Sequence, residues 1–151
     1  MKRRRWPGNP SCSFCNNVET SQHLFFTCPV ANVVWRCIGM ALGTDRCPNN
    51  YWQYYAWCNT FLPGGEEYYT VGLAAACWAI WLARNRATFE KKQIKTPFEI
   101  VFSMCSFLIY WTGLQSEGGA KELQGGAEMI RAGTMNLLKM CNAMHRPIES
   151  E

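Results

Sequence analysis

Three cysteines and one histidine fall within 17 residues near the amino end: Cys12, Cys15, His23 and Cys28, in the pattern C-x2-C-x7-H-x4-C. Two thiols separated by two residues fit a tight knuckle in which both sulfurs face one cation. A histidine and a cysteine five apart, at the end of a short helix stopped by Pro29, can close a tetrahedron. Three thiolates and an imidazole form a Cys3His set, a common structural Zn2+ site. All four positions would be filled by protein, which leaves none for catalytic water. The span has few apolar groups besides Phe14, Val18, Leu24, Phe25 and Phe26. Metal binding, worth ~10–16 kcal/mol in finger peptides, is the means by which so short a segment orders itself.

The same residues carry a resemblance. Cys-x2-Cys, then Glu19-Thr20-x2-His23-Leu24-Phe25-Phe26-x-Cys28-Pro29 and Ala31-x3-Trp35, resembles the zinc-binding domain at the C-terminal end of plant LINE-type non-LTR retrotransposon reverse transcriptases. The basic run before the first cysteine resembles that family too. Further on, Trp78-x2-Trp81-x2-Arg84-Asn85-x3-Phe89 resembles a helix found downstream in many plant members. The resemblance implies zinc binding and contact with nucleic acid, and it covers about residues 2–90. Family members carry several dozen residues and a polymerase domain before the first cysteine. Relative to them the chain reads as N-terminally truncated.

Composition narrows the chemistry. Asp45 is the only aspartate among 151 residues, and His23 and His145 are the only histidines. Two-metal polymerase, RNase H and nuclease centres need several convergent carboxylates. No GxSxG, phosphate loop or GxGxxG is present. A non-enzymatic protein is expected, with no small-molecule substrate. Residues 1–50 hold six basic and two acidic groups, whereas 51–151 hold nine of each, so the net charge of +4 sits in the first third. Lys2, Arg3, Arg4 and Arg5 can neutralise phosphates, while Trp6 and Phe14 (or Phe25) can stack on unpaired bases, a grip suited to RNA or single-stranded DNA. A four-residue basic run also reads as a solvated terminus or a nuclear-localisation signal. The alternative to a nucleic-acid binder is a zinc-stabilised protein–protein module whose contact surface lies in the helices after residue 51.

The nine cysteines are odd in number, and Trp6-Pro7-Gly8-Asn9-Pro10 stands where a secretory signal would place its apolar stretch. A reducing compartment, nuclear or cytoplasmic, is expected. The six cysteines outside the cluster then read as inert thiols, and Cys141 with His145 supplies at most half a metal site. The apolar runs 71–83 and 100–111 are shorter than the ~20 residues that cross a bilayer, so no membrane association is expected.

The positioning elements follow from periodicity. Thr20 or Ser21 can cap a short helix from about Gln22. Pro29 then starts a second, whose apolar stripe Val30, Val33, Val34, Cys37, Ile38, Ala41 and Leu42 opposes Asn32 and Arg36 and stops at Gly43. Further helices are predicted over 51–62, 67–92 and 97–114. In the 67–92 helix Ala74, Ala75, Trp78, Trp81, Leu82, Asn85 and Phe89 share one side. A Gly-rich connector over 115–126 precedes a last helix over 128–143, with Met129, Met135, Leu138 and Cys141 as its apolar stripe. No segment alternates with period two, so the fold class is all-α: a small Cys3His knuckle followed by four to five helices. The expected organisation is a basic arm and zinc module over 1–43, a helical region over 44–114, and a connector with a C-terminal helix, free to move, over 115–151.

Overall fold

The computed structural model describes residues 11–114 and 117–144. Lys2, Arg3, Arg4, Arg5, Trp6 and His145 lie outside the described residues. Five α-helices follow a short knuckle: α1 (Pro29–Ala41), α2 (Tyr51–Phe61), α3 (Glu66–Phe89), α4 (Phe98–Trp111) and α5 (Glu117–Met144). The only extended pairing among the described residues is an isolated antiparallel bridge between Ser11 and Val18. The all-α expectation holds. No helix among the described residues is long and apolar enough to cross a membrane.

Local chemistry sets the boundaries. Pro29 opens α1, where its missing N–H is no loss. Leu42 ends it, and Gly43 follows in the left-handed region at φ 79°. The Gly43 N–H donates to Met40 O and the Thr44 N–H to Gly39 O, the two bonds of a Schellman stop. Asn50 caps α2 by accepting from the Gln53 N–H at 2.9 Å. Gln53 Oε1 accepts in return from the Asn49 N–H at 2.8 Å. Glu66 and Glu67 occupy the first turn of α3, where the helix dipole favours them.

The core is aromatic at one end and aliphatic at the other. Trp35, buried in α1, stacks on Phe26 with ring centroids 5.4 Å apart and meets Tyr54 and Trp57 of α2. Its indole N–H donates to Phe25 O at 2.7 Å, which ties α1 to the knuckle. Ala75, Ala76, Ala79 and Ile80 of α3 are buried, as are Ile100, Val101, Met104, Cys105 and Leu108 of α4. Small residues let these two helices approach closely.

Helix α3 has two unlike sides, and the expectations for residues 115–143 are corrected. Trp78, Trp81 and Phe89 point outward from α3, and the helix buries the opposite alanine-rich side. The 115–126 connector is helical from Glu117 onward. Glycine costs about 1 kcal/mol in a helix, but Leu123, Ala127, Ile130, Thr134 and Leu137 recur at helical spacing and seat α5 on α4 and α1. Met129, Met135 and Cys141 lie on the exposed side instead. An apolar pocket of about 530 Å³, partly open to solvent, lies between Trp35, Tyr54, Trp57, Tyr68 and Met104, with Gly125 and Gly126 on its rim.

Candidate metal centre

Residues 11–28 form a loop, a bridge and a short turn that bring four donors to one place. The Cys12 N–H donates to Asn17 O at 2.7 Å and the Asn16 N–H to Cys12 O at 2.9 Å. Asn16 takes the left-handed conformation at φ 64°, one that asparagine tolerates. This reversal turns both knuckle thiols the same way. The Thr20 hydroxyl accepts from the His23 N–H at 3.0 Å and caps the turn that follows, as the sequence suggested.

That turn, His23–Thr27, is of the π type: the Cys28 N–H donates to His23 O, five residues back, at 2.7 Å. An α-helix aligns residues three and four apart, so His23 and Cys28 would diverge on one. The wider π turn places a five-residue pair on one face. Extended backbone at Cys28 (φ −58°, ψ 140°) then leads into Pro29.

The ligand atoms of Cys12, Cys15, His23 and Cys28 all lie within 4.8 Å of one another. Cys28 Sγ is 3.9 Å from Cys12 Sγ and 3.9 Å from Cys15 Sγ. His23 Nε2 is 3.1 Å from Cys15 Sγ. A tetrahedral zinc with ~2.3 Å bonds to sulfur and ~2.05 Å to nitrogen has edges of about 3.8 Å between sulfurs and about 3.6 Å between sulfur and nitrogen. The two edges from Cys28 to Cys12 and Cys15 match, and the Cys15–His23 edge is tighter by about half an ångström. A disulfide would bring two sulfurs to ~2.05 Å; none of the nine cysteines is paired in this way.

Electrostatics fits a cation. Burial pushes the Cys28 thiol up to about 12, with the Val30 N–H pulling the other way and the Cys12 sulfur adding to the rise. At Cys15 burial also pushes upward, but the Asn17 N–H and the neighbouring thiols outweigh it and leave the group below its ordinary value. Three sulfurs this close cannot all ionise without a positive charge among them. The four residues present fit zinc, which would supply a cross-link and no open coordination position. With His23 Nε2 turned to the sulfurs, its Nδ1 faces Thr27 Oγ1 at 3.5 Å. Such an outer partner holds a ligating ring in orientation.

The centre is fastened to the helices by contacts that the sequence did not announce. Arg84 of α3 grips Glu19 of the knuckle with two bonds, Nη2 to Oε1 at 2.7 Å and Nε to Oε2 at 3.2 Å. Its remaining Nη1 donates to Asn85 Oδ1, and its guanidinium lies 5.9 Å from the centroid of Phe89. Ser13 Oγ meets Thr88 Oγ1, and Gln93 Nε2 donates to Ser13 O. Arg84 is therefore a strap between the two motifs. Phe14, a stacking candidate, is half-buried and packs on the core.

Neither the curated proteins nor the solved structures contain a match to this chain. Residues 1–35, from the basic arm through all four clustered donors to the central Trp35, match the family described as zinc-binding in reverse transcriptase. This part of the chain is similar to that domain.

Proposed function

We propose that the chain is a non-catalytic, zinc-stabilised module derived from a retrotransposon reverse transcriptase protein, and that it contacts RNA or single-stranded DNA. The observation that carries the reading is the convergence of three thiols and one imidazole in a segment similar to reverse-transcriptase zinc-binding domains. Zinc would be held by Cys12, Cys15, His23 and Cys28. Lys2, Arg3, Arg4 and Arg5, within ten residues of Cys12, are the expected phosphate contacts. Four such contacts give a salt slope of about −3 on single strands.

Native mass spectrometry tests the metal: one zinc per chain is expected, lost in Cys12→Ser and in His23→Ala. Titration with single-stranded RNA at two salt concentrations tests the partner. Binding that weakens steeply with salt supports the reading, and no binding at low salt removes the nucleic-acid half of it.

A further inference from the structure

Trp78 and Trp81 lie one turn apart on α3 with 46% and 40% of their surfaces exposed, and their rings stack at 5.2 Å and 24°. Phe89, 62% exposed, continues the same face two turns on. Eleven residues of helix make a strip of about 16 Å, room for roughly four to five nucleotides at ~3.4 Å each. A soluble helix ordinarily turns such rings inward, and here the alanines take that place.

Two observations bear on what covers the strip. The metal knuckle is bonded along its flank through Glu19–Arg84 and Ser13–Thr88, so strip and knuckle form one surface. Charge supplies the second. From 84 to 95 the chain carries five cations against Glu90 alone. Glu19 neutralises Arg84 and Glu90 lies 3.7 Å from Lys92, which leaves the exposed Arg86, Lys91 and Lys95. The acidic Glu66 and Glu67 sit at the far end of the helix. An aromatic stack that leads along the helix toward a cation-rich end suits a single strand, whose bases add to the rings while its phosphates meet the charges.

We propose that the outward face of α3, with Trp78 and Trp81 at its centre, is a stacking track for single-stranded nucleic acid that continues from the zinc knuckle. The proposal rests on the nucleic-acid reading above and adds the residues that hold the bases. Fluorescence anisotropy with a ten-nucleotide oligouridine, and with the corresponding duplex, tests it on the full, zinc-loaded chain. Trp78→Ala and Trp81→Ala each weaken single-strand binding by roughly tenfold. The salt slope stays that of the parent, because stacking releases no counterions, and Trp81→Phe recovers most of the loss. Circular dichroism checks that α3 persists in the variants.

If the parent binds, and replacing residues 2–5 by alanine weakens binding while the tryptophan variants match the parent, the track is overturned and the broader reading stands. A parent that fails to bind at low salt overturns both. If the tryptophan variants instead abolish self-association and leave RNA affinity intact, the face is a protein-docking surface and the track is wrong.

Discussion

Arg84 and Glu19 show how one pair of side chains sets the relation between two parts of the chain. The pair is bidentate, its side chains are 21% and 18% exposed, and it spans 65 residues of sequence. Partial exposure screens its charges, so a modest value is expected. A double-mutant cycle on Glu19→Gln and Arg84→Met, followed by urea unfolding, should give a coupling of about 1 kcal/mol. The clustering of Cys12, Cys15, His23 and Cys28 was legible in the sequence because their chemistry lies in residue type and spacing. The strap was not, since a glutamate and an arginine far apart carry no sign of their meeting. The same holds for the π turn itself, which is what brings Cys28, five residues on, to the same face as His23.

At the scale of elements, boundaries followed cap chemistry closely, and faces were harder to read. Pro29, Gly43, Asn50 and Pro97 each sit within a residue or two of a helix end. Asn50→Ala should therefore cost about 1 kcal/mol. Helix α3 is apolar on most of its circumference, so composition gave no means of telling its alanine side from its tryptophan side. Helix α5 was misread because glycines argue locally for a loop, while its buried stripe, which needs α4 and α1 to be present, argues for a helix. Gly125 and Gly126 have open space where a Cβ would stand. Replacing either with alanine should raise stability by about 0.5–1 kcal/mol, read as a higher urea midpoint with an unchanged slope.

Over the whole molecule, buried thiols set the response to alkali. Burial pushes Cys77 up to about 12 and Cys105 up to about 11, from an ordinary value of 9.0. Above about pH 9 the unfolded chain loses these protons while the folded chain keeps them, so ionisation favours unfolding. The contribution of these groups is complete below pH 9 and lost as the pH climbs toward 11–12. Urea midpoints measured from pH 7 to 11 should be flat at first and then fall. Zinc held by the Cys3His cluster would have the opposite dependence: it would replace protons on sulfur, so its affinity should weaken about tenfold per pH unit of acidification for each proton released. Competition with a chromophoric chelator at pH 6, 7 and 8 measures this slope.

The scatter of the remaining cysteines has a practical consequence. Cys37, Cys58 and Cys105 are sealed in the core, Cys77 is held protonated by its surroundings, and Cys141 is open to solvent. An alkylating reagent meeting the zinc-loaded protein should modify Cys141 first. Stripping the ion makes the thiols of the knuckle available as well, with the half-exposed Cys15 leading. The number of labels gained on adding a chelator then becomes a built-in gauge of occupancy, readable on intact protein without any spectroscopic signal from the ion itself.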